Sequence, residues 1–423
     1  MRNGKLALVV ASTGVVLMVG AGGSVAPPAV ARPPLSEVAG GEILRAEGAP
    51  LALSVPGPSG AIPARSTRLV YTSSDAHDAP TTVVGTYLEP TMPWTGPGPR
   101  PLIAYAGGTQ GQGPECAPSA MMSQIVRLQP PVDMVFEYDV IAIYQLLSAG
   151  MAVVMTDYHD FGVPGIHDFL NRKTQGYAVL DSARAALRMS GLGPDSPVII
   201  YGYSQGAMAS AAAAELLSGY APELNVRGAY VGGPLTGPQE YIARSDGRPG
   251  VAPAIAWILN GIAEDYPEVR AELDAVLNDT GKAIMRDSIG RCGGGLSGVF
   301  AQPQDTARWT TSGQPLPVVI DNSPELKRVF DEQRLGTATP SVPVRVYSAV
   351  NDGVTYPAVR TMAANWCGGG AAVQLIADRG VPASPAALDT HDLAFFPSLT
   401  TSQPWMIERL ADVPPPANCA ALP

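Results

Sequence analysis

At 423 residues, 46% of them apolar and 15% charged, the chain is long enough for one large buried core or for a core with an inserted subdomain. A formal net charge of −10 with no basic run excludes nucleic acid as a partner, because nothing offers to neutralise phosphates. Gly and Pro are abundant but sit between apolar runs, as turn residues do, so low complexity is excluded as well.

The first segment reads as an export signal. Arg2 and Lys5 form a positive start, Leu6 to Val19 is an apolar stretch too short to favour a membrane span, and Ala29-Val30-Ala31 is a small-x-small cleavage site. Residues 1–31 are therefore predicted to be a signal peptide, with the mature chain starting at Arg32 as a secreted protein without an integral membrane segment. Cleavage after Ala26 is disfavoured by Pro27, and the absence of a nearby Cys excludes lipid anchoring at the cut.

Eight buried strands are predicted downstream, approximately at Arg68–Ser73, Thr82–Leu88, Pro101–Ala106, Ala152–Asp157, Pro197–Gly202, Arg227–Gly233, Val344–Val350 and Val373–Ala377. From the third onward, helix-length segments rich in Ala and Leu separate most of them, such as Gly176–Met189 and Ala207–Ser218. Strands alternating with helices predict an α/β fold, a mostly parallel sheet with helices on both faces. One gap, residues 234–342 between the sixth and seventh strands, is far longer than a crossover requires. In it Ile255, Ile258, Leu259 and Ile262 share one helical face, and Val269, Leu273 and Val276 share another, behind Pro267. The gap is predicted to be an inserted helical cap or lid whose Ile and Leu residues face the substrate. The core is then residues 32–233 and 343–423.

Chemistry concentrates at Gly202-Tyr-Ser-Gln-Gly206, the G-x-S-x-G pattern, lying between a buried strand and an Ala-rich helix. A strand turning sharply into a helix holds its Ser exposed, and the free N–H groups of the helix start favour developing negative charge. Ser204 is the candidate nucleophile. Of the four histidines, His77, His159, His167 and His391, only His391 follows Ser204, so it is the candidate base in the Ser-acid-His order of α/β-hydrolases. His159 and His167 read as loop hydrogen-bonders near the site, and His77 as a solvated turn residue. The orienting acid should follow the seventh strand, where Asn351-Asp-Gly353 is a tight turn, so Asp352 is chosen. Its competitor, Asp321, requires Leu316–Ile320 to be the seventh strand. Oxyanion donors are expected at the backbone of Gln205 and in the glycine-rich loop Gly107–Gly113, which carries Thr109 and Gln110. Cys116, Cys292, Cys367 and Cys419 make an even count for an exported chain and suggest two disulfides. None has the spacing of a zinc site, and neither metal nor cofactor is expected.

Gly108-Thr-Gln-Gly111, Cys116-Ala-Pro-Ser119, Gly202-Tyr-Ser-Gln-Gly206, Tyr220-Ala-Pro-Glu-Leu-Asn225, Asn351-Asp-Gly353 and the isolated His391 together resemble the secretory lipase, or lipase A-like, family over about residues 60 to 410. The resemblance implies an α/β-hydrolase with a helical lid acting on esters of fatty acids. It implies Ser204, Asp352 and His391 as triad, Gln205 with the Thr109–Gln110 region as oxyanion hole, and the pairings Cys116–Cys292 and Cys367–Cys419. The chain departs from the family in having Ala207 where a further glycine is common, and Gln110 where some members carry an acidic side chain. The partner expected is a lipid or other ester, met at a transient lipid–water interface. The alternatives are another acyl substrate for the same triad (a polyesterase, acyltransferase or peptidase) and an inactive, lipid-binding homologue.

Overall fold

The computed structural model describes residues 39–57, 60–129, 133–161, 165–248, 252–293, 305–384 and 387–423. The predicted signal peptide lies outside them. Among the described residues, nine strands form one sheet: β1 (Ile43–Gly48), β2 (Ala64–Ser74), β3 (Pro80–Pro90), β4 (Leu102–Ala106), β5 (Ala152–Thr156), β6 (Val198–Tyr203), β7 (Val226–Gly232), β8 (Val344–Ala349) and β9 (Val373–Asp378). Their spatial order is β1-β2-β3-β5-β4-β6-β7-β8-β9. The first three strands and the β3–β5 pair run antiparallel, and every pairing from β5 to β9 is parallel.

Eight of these strands are the predicted ones. β1 is the additional one, so the long insertion falls between the seventh and eighth strands of the sheet rather than the sixth and seventh. β1 is mostly exposed, edge-paired to β2 only, and carries no apolar run to betray it. The parallel strands read as continuous apolar runs because both faces are covered. β6 shows the mechanism: Val198 and Ile200 pack into one core, Ile199, Tyr201 and Tyr203 into the other, following the two-residue period of a strand. The layer over the first core holds α2 (Arg172–Met189) and α3 (Gln205–Tyr220); the opposite layer holds α1 (Asp139–Ser148) and the long C-terminal helix Ala387–Leu410. Ala207, Ala209 and Ala211 to Ala214 are all fully buried, and such small side chains let α3 lie close to the sheet and to α2.

The insertion is helical, as predicted, with α4 (Pro238–Ser245), α5 (Ala252–Asp265), α6 (Pro267–Val276), α7 (Asp279–Ser288), α8 (Leu316–Asn322) and α9 (Pro324–Glu332). After it, α10 (Tyr356–Gly368) connects β8 to β9, and the C-terminal helix Ala387–Leu410 is α11. The apolar face of α5 has a different role from the one predicted. Ile255, Ile258, Leu259 and Ile262 have no exposure and belong to the main core, so they anchor the insertion instead of lining a substrate path. Leu316–Asn322 is a helix, because Pro317 sits at its first turn and Val319 and Ile320 face inward together. Asp321, exposed on that helix, accepts from Gln239 and has no part in the site.

Candidate active site

The parallel strands all end on one side of the sheet, and their last residues meet there. Ser204 follows β6 with φ 60° and ψ −120°, a backbone state that costs energy for any residue with a Cβ. The surroundings enforce it. A Cβ on Gly202 would collide with the Gly206 carbonyl, and one on Gly206 with the Ala106 carbonyl of β4. The two glycines of the motif are thus required by close approach of backbone to backbone.

Asp352 follows β8, and His391 stands near the start of α11, after β9. His391 Nε2 lies 2.8 Å from Ser204 Oγ, and His391 Nδ1 lies 2.7 Å from Asp352 Oδ2. With a carboxylate on Nδ1, that nitrogen carries the hydrogen and Nε2 is free to accept from the serine hydroxyl. Asp352 is further held by the N–H groups of Val354 and Thr355 at Oδ1 and by the Thr355 hydroxyl at Oδ2. Burial opposes its charge, yet His391 and these donors outweigh it and keep the Asp352 pKa below the ordinary carboxylate value. Burial likewise disfavours charging His391, but Asp352 reverses the balance and the imidazole pKa lies above its ordinary 6.5. Tyr203 adds an anchor, its hydroxyl donating to the His391 carbonyl.

The loop after β4 is pinned from below. The N–H of Gly108 and the hydroxyl of Tyr105 both donate to Asp139 at 2.7 Å, and Tyr158 donates to the Gly107 carbonyl. Thr109 reaches the cavity above Ser204. Gln110 does not line it; its side chain is buried and donates Nε2 to Glu137 Oε1, so the expectation that it reaches substrate is corrected to a backbone position. Gln205 opens α3 directly after Ser204, where its N–H lacks an intrahelical partner. Its side chain donates to Nε2 of His167, which is wholly buried, stacked on Phe161 at 4.2 Å, and donates from Nδ1 to the His159 carbonyl. Burial drives the His167 pKa down to about 4, which leaves it neutral and able to accept that bond. The sequence places His167 near the site; its contact with Gln205 has no local sequence signal. His77 is exposed, and its Nε2 donates to the Asp265 carbonyl.

Over these residues lies a cavity of about 370 Å³. Ser204 and His391 line it together with Phe169, Tyr203, Phe395 and Phe396 from the core and Leu235, Tyr241, Pro253, Ala254 and Trp257 from the insertion. The insertion is fastened to the core by the disulfide Cys116–Cys292 and by backbone bonds such as Gly293 N–H to the Gln110 carbonyl. Cys367–Cys419 ties the last residues to the end of α10, just ahead of β9.

Residues 128–417 match the model of the secretory lipase family. A Mycobacterium tuberculosis protein named a probable inactive lipase is 28% identical over 301 residues, which are 69% of this chain and 63% of that protein. A secreted triacylglycerol lipase of Malassezia furfur is 29% identical over 268 residues, 63% of this chain and 56% of the relative. The chain thus spans less than two thirds of the length of these curated relatives. Candida antarctica lipase A in its closed state superposes with a TM-score of 0.73 at 21% identity over 90% of this chain and 85% of that one. The rice cell wall degrading esterase of Xanthomonas oryzae does so with a TM-score of 0.67 at 18% identity over 87% and 98%. At such identities the structural likeness is one of fold, that of the α/β-hydrolases. A family match over most of the chain, carried on that fold, makes the protein a member of the secretory lipase family.

Proposed function

We propose that the chain is a secreted carboxylic ester hydrolase acting on lipid esters through an acyl-enzyme on Ser204. The observation that carries this reading is the continuous hydrogen-bonded series Ser204–His391–Asp352 on the floor of an apolar cavity. Ser204 Oγ attacks the ester carbonyl while His391 Nε2 takes its proton, and Asp352 stabilises the imidazolium. The carbonyl oxygen becomes an oxyanion between the N–H of Gln205 and the N–H groups of the Thr109–Gln110 loop, at the positive end of α3. His391 then returns the proton to the leaving alcohol, and water resolves the acyl-enzyme by the same path.

The lining supports a fatty acyl group, since each buried methylene contributes about 0.8 kcal/mol. Helices α4 and α5 then act as a cap over the acyl chain. Phe136, Ile141 and Phe396 line the cavity and are also exposed beside it, an apolar rim suited to a lipid surface. Export fits the two disulfides, the N-terminal segment and relatives named as secreted.

One relative is named a probable inactive lipase, which keeps a lipid-binding, non-catalytic reading in play. The two readings separate in one experiment. The wild-type chain is expected to hydrolyse p-nitrophenyl esters and to be labelled by a fluorophosphonate at Ser204, and Ser204→Ala to lose both, with kcat down by at least about 10⁴-fold. A folded wild-type protein that resists labelling and turns over no ester is the inactive homologue instead.

A further inference from the structure

Outside the cavity, three side chains from distant parts of the chain converge. His159 and Asp160 follow β5; Asp265 is the last residue of α5. His159 Nδ1 lies 3.4 Å from Asp160 Oδ2 and 3.9 Å from Asp265 Oδ1, and one donor atom from each residue falls within 4.8 Å of the others. None of the three lines the cavity above Ser204.

Two features distinguish this cluster from a chance gathering of acids. His159 is only 8% exposed, and its Nδ1 makes no hydrogen bond to any described residue although it points between two carboxylates. The outer contacts of the three are already in place. His159 Nε2 bonds the Thr81 hydroxyl at 3.0 Å, which puts the ring hydrogen there and leaves a lone pair on Nδ1. Asp265 Oδ2 accepts from Asn171 Nδ2 at 2.6 Å, leaving Oδ1 toward His159. Metal-binding histidines and carboxylates are held by their far atoms in this way. The local charge is also short of cations: burial and mutual repulsion push Asp160, Asp168 and Asp265 above the usual carboxylate range, and the groups that oppose the rise are histidines and neutral hydrogen-bond donors.

We propose that His159, Asp160 and Asp265 bind a divalent transition-metal ion of the Zn²⁺ class, which clamps the inserted helix α5 to the loop after β5. One imidazole nitrogen with two carboxylate oxygens and a water is a common zinc set, and calcium is disfavoured by the nitrogen. Ligand atoms around a tetrahedral zinc stand about 3.3 Å apart, so a small inward shift of Asp265 completes the site. The role is structural: α5 carries Pro253, Ala254 and Trp257 over the cavity, and its far end is what the ion would fix. The inference is independent of the proposed ester chemistry.

The test uses the full chain, stripped by a chelator and then titrated with ZnCl₂ by calorimetry, with melting temperature as a second readout. One zinc per chain and a raised melting temperature are expected. His159→Gln and Asp265→Asn should abolish both. Asn171→Ala should weaken binding by about 10- to 100-fold without abolishing it, as loss of an outer contact does. Asp160→Asn serves in place of either first variant if that one fails to fold, and Co²⁺ absorption in the wild-type chain reports the nitrogen–oxygen set without any variant. No uptake by the stripped wild-type protein, or uptake unchanged in folded variants, overturns the site, and His159 is then an imidazolium paired with its two carboxylates.

Discussion

At the scale of single residues, His391 decides the pH dependence. Only the neutral imidazole accepts the Ser204 proton, so kcat/KM should fall as pH drops through the His391 pKa. Because Asp352 raises that pKa, the acid limb should lie above the ordinary 6.5. Asp352→Asn removes the charge that raises it and can leave the imidazole in the wrong tautomer, so kcat should drop by about 10⁴-fold and the residual limb move to lower pH. Asp321→Asn, on an exposed helix face, should leave the rate within a few-fold (about 2- to 3-fold at most). A pH–rate profile of the three proteins checks all of this, and a limb that stays put in Asp352→Asn rules out the assigned pair. The serine motif, the sole downstream histidine and the turn aspartate are legible in sequence. Gln110 is not, because a side chain's direction depends on Glu137, 27 positions away and buried against it.

At the scale of elements, the turn from β6 into α3 and the insertion helix α5 each carry a prediction. Gly206→Ala places a methyl against the Ala106 carbonyl of β4, which must move and take the oxyanion loop with it. Activity and melting temperature should both fall, the latter read by circular dichroism, with a cost of roughly 1–3 kcal/mol for overpacking. Ala207, by contrast, is fully buried at a position where a glycine is common in the family, so its methyl is already accommodated. On α5, Trp257 and not Ile258 faces the cavity. Trp257→Ala should shift the chain-length profile of p-nitrophenyl esters toward longer acyl groups while acetate turnover changes little. Ile258→Asp should destabilise the fold instead, because it buries a charge without a partner. An unchanged profile in folded Trp257→Ala would leave α5 as a support only. The helical period identifies the apolar face of α5 correctly, but periodicity does not say what covers a face.

At the scale of the whole molecule, two covalent links hold distant parts together. Cys116–Cys292 spans 176 positions and Cys367–Cys419 spans 52. Loop-closure entropy assigns them about 5 and 4 kcal/mol respectively, if the reduced chain unfolds fully. Cys116→Ser with Cys292→Ser should therefore lower the melting temperature more than the Cys367, Cys419 double Ser variant. It should also open the insertion to protease, since the first disulfide joins that insertion to the oxyanion loop. Scanning calorimetry and limited proteolysis read the two effects; equal losses, with no new cleavage in the insertion, count against this assignment. No helix among the described residues is long and apolar enough to cross a membrane. N-terminal sequencing of exported protein should begin at Arg32.

What neighbouring residues encode is readable in the sequence by itself. Continuous apolar runs mark the covered parallel strands, and glycines around a serine at a strand–helix junction mark the sharp turn, because these signals depend on backbone geometry within a few positions. An even cysteine count points to disulfides, but four cysteines allow three connectivities, and resemblance alone selects one. Tertiary structure decides the rest. It brings His391 within 2.8 Å of a serine 187 positions earlier, turns Trp257 rather than Ile258 toward the cavity, recruits the polar strand β1 to the sheet edge, and gathers His159, Asp160 and Asp265 around one point. Each of these depends on which surfaces are buried against one another, and burial is a property of long-range packing that local periodicity does not carry.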